Sequence, residues 1–515
     1  MDGSSAERPQ TGDKQIAAVV RMAEGQDIAA RQLLDRLTEL RAEIASRAAR
    51  RMSDWAPRVR RMEFLTSVEN LADWLALRET DLTPVQAALG QLGLSSLGRL
   101  DGHVRPSLDA VIAALSLIAG EPEAVFPDPA AITGGAVLLA ERRSRLFGER
   151  PDGTGPETRI MVTLAGETAH ASGRIADLAA AGADCFRINC AHDGPGEWRE
   201  MIRHIRDTGA RLGRRLPVSM DLGGPKFRVA RVWGPDKLRL GRGDRFALVL
   251  SPRDLPGKLP AAQLSDPALV QALGTGALVS LDDGKLWAEV TARRGGAAEL
   301  VVTRAPDEGL RLKPGKGVNL PGIDLDVPAL TADDRAALDV VVPLADIVAF
   351  SFVQTPADVR GLIDAMEDRA GGLRLPAVLL KIETPLALRN LPDLIVEAGG
   401  RVPVGVMIAR GDLAVEIGFD RLSEIQEEVL WLCEAAQVPV VWATQVLEGM
   451  VKEGQASRAE ITDAAMSQRA ECVMLNKGAH QAEAVSFLRD ILVRMDRHQD
   501  KKRARLSALG LWRQG

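Results

Sequence analysis

A chain of 515 residues, 46% hydrophobic and 26% charged, is long enough for two to four domains and has the balance of an ordinary globular protein. The formal net charge of −5 offers no basic excess for a nucleic-acid partner, and the longest apolar stretch, Ala110–Gly120, is too short to span a bilayer. With 3% aromatic residues and no tyrosine, the cores must rest on Leu, Val, Ile and Ala.

The first residues, MDGSSAERPQTGDKQ, are polar and lack the apolar segment of a signal peptide, and residues 1–14 read as a disordered tail. Cys185, Cys190, Cys433 and Cys472 form no CxxC pair, so reduced thiols and a cytoplasmic location are expected. Residues 15–125 read as an all-helical module. Leu33, Leu37, Leu40 and Ile44 fall on one face of a first helix. Thr66 and Glu69 fit a capping box, and Thr83 with Pro84 fits a helix start. A further helix is expected from about Arg105 to Gly120. LGLSSLGRL faintly resembles a helix-hairpin-helix element, but a lone glycine between helices is more often a C-cap. Residues 126–157, proline-rich and then polar, read as a linker.

From Arg159 the rhythm changes. Eight short, mostly apolar runs alternate with helical segments: RIMVTL, DCFRIN, LPVSMDL, DIVAFSF, PAVLLKIE, PVGVMIA, VPVVWAT and ECVMLN. That count suits a (β/α)8 TIM barrel over residues 158–226 and 316–500, an α/β fold. Residues 227–315 interrupt it with strand and turn patterns and almost no helix pattern, as expected of an inserted small β-barrel domain. Residues 501–515 read as a tail.

Active sites of such barrels lie at the C-terminal strand ends. Read in order, those ends give Arg187 and Asn189, Asp221, Ser351, Lys381 and Glu383, Arg410 and Asp412, Thr444 and Gln445, and Asn476. Any one of these fits a solvated loop residue. Together they make a dense polar ring, and LLKIE sets two charges straight after apolar residues, where each needs a partner. Glu383 and Asp412 end neighbouring strands. Two hard oxygen ligands with open positions suit Mg²⁺ or Mn²⁺, and Lys381 and Arg187 add positive charge beside them. Such a pocket is suited to phosphoryl transfer or to an enolate. The sequence holds no GxxxxGK[ST], no GxGxxG after a strand, no HExxH and no GxSxG. His192 reads as a structural, hydrogen-bonded residue, and Cys190 as a packed thiol.

The strand-end strings also resemble those of one family, the pyruvate kinases. FRINCAHD is similar to their ARLNFSHG, and MDLGGPKFR to their LDTKGPEIR. LDDGKL resembles DDGL, and GKGVNLPG resembles KKGVNLPG. LLKIET, MIARGDLAVEI, VVWATQVLEGM and ASRAEITDAA resemble SKIEN, MVARGDLGIEI, VICATQMLESM and PTRAEGSDVA. The ordered set runs from about Thr158 to Gln499.

The resemblance implies transfer of phosphate between phosphoenolpyruvate and ADP, giving pyruvate and ATP, and a homo-oligomer. By motif match, Lys381 and Arg187 would meet the phosphoryl group, and Glu383 and Asp412 would hold the divalent cation. The backbone of Ala409, Arg410 and Gly411 would bind the substrate carboxylate, with Ser351 and Asn189 also at the substrate. Thr444 would serve protonation of the enolate, Arg228 would add charge, and Asp283 would close over the nucleotide from a lid.

Departures from the family pattern carry their own expectations. Asn189 and Asp221 keep two ligands of the family's monovalent-cation site, whereas Ala191 and Leu222 replace two hydroxyls. At the motif's glutamate stands Lys226, whose ammonium can supply the charge that K⁺ supplies elsewhere, so activity without K⁺ is expected. Gly223 replaces a lysine, and NKGAH (Asn476–His480) stands where SGET is usual. The family's C-terminal α/β domain is not recognisable, so activation by fructose bisphosphate through its usual site is not expected. Two other readings share parts of this pattern. One is a metal-dependent pyruvate aldolase or lyase, for which a lid is superfluous. The other is a non-catalytic sensor, for which the full charge set is unnecessary.

Overall fold

The eight runs become the eight strands of a closed parallel barrel in a computed structural model. The structure describes residues 11–121, 123–150, 153, 155–267, 269–282, 284–323, 327–500 and 503–504. The barrel strands are β1 (Arg159–Thr163), β2 (Cys185–Asn189), β3 (Val218–Asp221), β4 (Ile347–Phe350), β5 (Ala377–Ile382), β6 (Val404–Ala409), β7 (Val440–Ala443) and β8 (Cys472–Leu475). Each pairs in parallel with its sequence neighbours, and β1 pairs with β8 to close the ring. Alternation along every strand sends one set of side chains inward. Cys185, Ile347, Ala349, Ala377, Leu379, Met407, Val441, Ala443, Cys472 and Met474 share one buried interior cluster. Two residues further along the same inward rows stand Arg187, Ser351, Lys381 and Ala409. The interior is therefore apolar below and charged at its C-terminal mouth.

The interior cluster also takes Leu146 and Phe147, the last residues of a helix Pro129–Phe147. That helix occupies the segment expected as a linker. Its two glycines and flanking prolines disguise it, but the stretch AVLLAERRSRLF from Ala136 onward favours helix, and burial of Leu146 and Phe147 fixes its end. Gly405 in β6 makes room: a Cβ there would lie 3.0 Å from Leu146 Cδ2 and 3.0 Å from Leu379 Cδ1.

The insert between β3 and β4 is all-β apart from short helices Pro252–Asp254 and Leu269–Ala272. In place of a small closed barrel, its strands form one seven-stranded sheet and a two-stranded pair, Leu310–Arg311 with Arg239–Leu240. The large sheet runs from Val318–Asn319 at one end to Val229–Trp233 at the other, with register breaks at Glu299/Leu300 and Val229/Arg231 that bend it. Phe246, Leu248, Leu281, Leu286, Val290 and Leu300 lie in its own core. Because Val318–Asn319 pairs with Leu278–Leu281, this sheet extends past the expected boundary at residue 315. Its two stems are zipped together where Val229 N–H donates to Lys316 O (2.8 Å) and Val318 N–H to Phe227 O (3.0 Å).

Barrel and insert belong to one compact unit. A second unit holds the residues up to Arg58, Met62–Ala140 and Glu434–Gln437. It is helical, with Thr11–Trp55, Leu65–Arg78, Thr83–Gln91 and Val104–Ile118. Leu37, Leu40 and Ile44 are buried in it, with Leu34 ahead of the half-buried Leu33. The Trp74 indole N–H donates to Asp101 Oδ1 (2.8 Å). The expected Thr66–Glu69 capping box does not form: a turn at Met62–Phe64 starts the helix at Leu65, with Phe64 at the cap and its ring buried. At the next helix the N-cap is Leu82, one residue ahead of the expected Thr83, and Asp81 Oδ1 accepts the Thr83 N–H (2.9 Å). Residues 1–10, most of the expected tail, lie outside the described residues. Among the described residues no helix is long and apolar enough to cross a membrane.

Candidate active site

The barrel mouth opens into a cavity of about 650 Å³. Its lining brings together Arg187, Asn189, Lys226, Arg228, Ser351, Lys381, Glu383, Ala409, Asp412 and Thr444, ten of the residues singled out from sequence.

Lys381 is the hub. Its ammonium donates to Ser351 Oγ (2.7 Å) and lies 3.1 Å from Glu383 Oε1 and 3.7 Å from Asp221 Oδ2. Burial disfavours its charge, but Glu383 and Asp221 outweigh that and raise its pKa above the ordinary lysine value. The Ser351 hydroxyl donates in turn to Leu222 O (2.7 Å), so the serine links β5 to the end of β3. Arg187 donates from Nε to Asp221 Oδ2 (2.9 Å) and from NH1 to Thr163 Oγ1 (3.0 Å). Asp221 Oδ1 is buried with no hydrogen-bond partner among the described residues, a spare acceptor in the floor of the site.

Glu383 accepts the Phe352 N–H (2.6 Å). Burial, and then the Asp412 charge, push its carboxyl above the usual range, against the pull of Lys381. Two carboxylates that repel one another across a cavity are a natural pair of ligands for a hard divalent cation. Among the described residues no group of three His, Cys, Asp or Glu side chains gathers for a metal, so this pair leaves positions for substrate or water oxygens. Asp412 also lies 3.7 Å from the Lys226 ammonium.

The turn after β3 is held from β4's side of the barrel. Asp334, in the first turn of the helix Ala332–Leu344, accepts the Gly223 N–H (2.8 Å) and the Gly224 N–H (3.2 Å) while capping its own helix with Thr331. Gly224 has φ +65°, and a Cβ there would lie 2.9 Å from both the Phe352 ring and Ser351 Cβ. Backbone strain is concentrated nearby: Phe352, Thr444, Gln445 and Leu447 all have positive φ without being glycine.

Arg410 and Gly411 sit behind the cavity wall. The Arg410 guanidinium donates to Ala443 O (3.0 Å), Thr444 O (2.7 Å) and Asp463, and stacks on Trp442 at 4.7 Å. The Gly411 N–H donates to Thr444 Oγ1 (2.7 Å). Arg228 reaches the rim, with its NH1 on Gly315 O (3.1 Å). Asp283 lies outside the described residues. Burial pushes the Cys190 thiol up to about 12, which suits a packed thiol. Burial also lowers the His192 pKa, aided by the positive charge of Lys477. In the altered NKGAH segment Gly478 packs so closely that a Cβ would lie 2.5 Å from Val451.

A model of the pyruvate kinase barrel domain matches residues 156–485. The chain is 35% identical to a pyruvate kinase of Methylorubrum extorquens over 347 residues, 66% of this chain and 69% of that one. It is 31% identical to a pyruvate kinase of Encephalitozoon cuniculi over 69% of this chain and 79% of the relative. It is 30% identical to one of Geobacillus stearothermophilus over 67% of this chain and 58% of that enzyme. The chain belongs to the pyruvate kinase family. The residues 15–125 lie outside the matched family segment.

Sequence reasoning passed over Thr163 and Asp334. Thr163 is the last residue of β1, so the strand-end rule that found Arg187 would also have found it. Asp334 carries a local sign, the capping pattern TADD, but nothing in that pattern says that its carboxylate also reaches the turn 110 residues away.

Proposed function

We propose that the chain transfers the phosphoryl group of phosphoenolpyruvate to ADP, yielding pyruvate and ATP. The observation that supports this most is the Lys381 ammonium, kept charged in a buried ring of Ser351, Glu383 and Asp221 at the mouth of a pyruvate kinase-type barrel. Phosphoryl transfer spreads negative charge over the moving oxygens in a loose transition state. An ammonium already fixed in place stabilises that charge without reorganising. Arg187, held by Asp221 and Thr163, presents the free edge of its guanidinium to the phosphate. Arg228 adds charge from the rim.

Glu383 and Asp412 hold Mg²⁺ or Mn²⁺, which when bound neutralises and orients substrate oxygens. Ser351 and Asn189 line the substrate pocket. Ala409 lines the pocket on the side given to the substrate carboxylate, with Arg410 and Gly411 behind it. Thr444 Oγ1 already accepts the Gly411 N–H, which leaves its O–H proton available for the enolate carbon, directly or through a water. Asp283 serves the nucleotide from the inserted lid. Lys226 supplies, beside Asp412, the positive charge that a monovalent cation would otherwise bring, so K⁺ is not required.

The test is turnover of phosphoenolpyruvate with ADP and Mg²⁺ in sodium and in potassium buffers. Pyruvate and ATP should form at similar rates in both, and Lys381→Met should lower the rate by roughly 1,000-fold. Pyruvate formed without ADP, with inorganic phosphate released, would mean hydrolysis in place of transfer, and no turnover would point to a lyase acting on another substrate or to a binding protein. An enzyme silent until K⁺ is added would remove the role given to Lys226 and leave the reaction standing.

A further inference from the structure

We infer that the helix Arg410–Ile417 is a common seat for the lid and for the cation ligand Asp412, and that Asn319 and Glu416 are positioning residues that hold it. The inference rests on the proposed Glu383–Asp412 cation pair.

Three parts of the insert meet one face of this helix. The first stem places the Lys226 ammonium 3.7 Å from Asp412 Oδ1. The second stem donates from Asn319 Nδ2 to Glu416 Oε1 (3.2 Å). At the hairpin between Leu278–Leu281 and Leu286–Arg294, a Cβ on Gly284 would lie 3.3 Å from Val415 Cγ2 and 3.8 Å from the Phe419 ring. Positions 412, 415 and 416 follow the three- and four-residue spacing of a single helix face, and Phe419 follows just past the helix end. The helix is only eight residues long, and β6 runs straight into it. Asp412 and Glu416 are therefore about 6 Å apart along its axis. A shift imposed at one end reaches the other, because Leu413 and Ala414 are fully buried and leave no slack on the inner face.

The Asn319–Glu416 bond is placed to matter. It borders a cleft of about 160 Å³ walled by Phe227, Val318, Leu320 and Ile323, where water is a poor substitute partner. Among the described residues, Arg389, Lys226 and Asp412 are the charged groups that share this cleft with Glu416. Since the two stems are hydrogen-bonded to one another, pulling Asn319 away also shifts Lys226. Neither Asn319 nor Glu416 lines the catalytic cavity, so both act through Asp412.

Mn²⁺ binding to the whole chain, followed by the electron paramagnetic resonance signal of the free ion at about pH 6, tests this without turnover. Near that pH the Glu416 carboxyl, pushed up to about 7 by burial, is mostly neutral and a glutamine mimics it. Asn319→Ala and Glu416→Ala should each weaken Mn²⁺ binding by about tenfold, the size typical of lost second-layer support. Glu416→Gln keeps an oxygen acceptor for Asn319 and should stay within about twofold of the parent, and the double alanine variant should be no weaker than either single. Parent-like Mn²⁺ affinity in Asn319→Ala, or additive losses in the double variant, overturns the inference. If Glu416→Ala does not fold, Asn319→Ala on the lid decides alone. Failure of the parent itself to bind Mn²⁺ overturns the cation pair and this inference with it, a result distinct from unchanged variants.

Discussion

At Glu416 a carboxyl is mostly withdrawn from water four residues after Asp412. Burial, the larger influence, and the Asp412 charge raise its pKa to about 7, while the Asn319 amide lowers it. An unfolded chain would release that proton near the ordinary glutamate value of 4.5. The folded state therefore binds the extra proton, and the stability this carboxyl contributes is full below about pH 4.5 and is lost as pH rises through about 7. Glu416→Gln cannot lose a proton, so its melting temperature relative to the parent should rise between pH 5 and pH 8, by on the order of 2 kcal/mol in stability. Thermal unfolding across that range checks it, and a constant offset between the two proteins would count against it. The same residue-scale reasoning separates Lys381 from Arg410. Both follow apolar strand residues in the sequence, yet Lys381 faces the cavity, whereas Arg410 turns away to Asp463 and Trp442. The strand-end reading put Lys381 at the mouth, where it lines the cavity. Arg410 begins a helix, where alternation no longer applies.

The turn after β3 shows what one element demands. MDLGGPKFR must end a buried strand, reverse across the Ser351–Phe352 backbone and deliver Lys226 to the barrel mouth. Gly224 alone can do this, since its φ is +65° and no Cβ fits between Phe352 and Ser351. Gly224→Ala should therefore cost about 1–3 kcal/mol of stability. It should also reduce phosphoenolpyruvate turnover, because Ser351 and Lys381 would be displaced with the turn. Denaturant unfolding and a rate assay on the same preparation would show both losses. Two consecutive glycines followed by a proline signal a turn locally. Their anchor, Asp334, carries no such local signal, because its link to Gly223 joins residues far apart in the chain.

For the whole molecule, the decisive feature is how the barrel is closed at its lower end. Leu146 and Phe147 enter the interior cluster with Met161, Leu379 and Met407. Phe147 is fully buried, so Phe147→Ala should destabilise the protein by about 3–5 kcal/mol. The active-site mouth lies at the opposite strand ends, so turnover of the protein that remains folded should change much less than its melting temperature. By itself the sequence determined the eight barrel strands, the all-β insert and ten of the cavity-lining residues. The strands, the insert and seven of those residues follow from local rules, two-residue alternation or chemistry placed at a strand's end, whereas Lys226, Arg228 and Ala409 came from the family resemblance. Only the tertiary structure decided that a segment read as a linker is a helix plugging the barrel, that Asp334 holds the Gly223–Gly224 turn, and that the stem of the insert bonds to the helix bearing Asp412. Those outcomes depend on close approach between residues distant in the chain, and no local pattern encodes the distance between them.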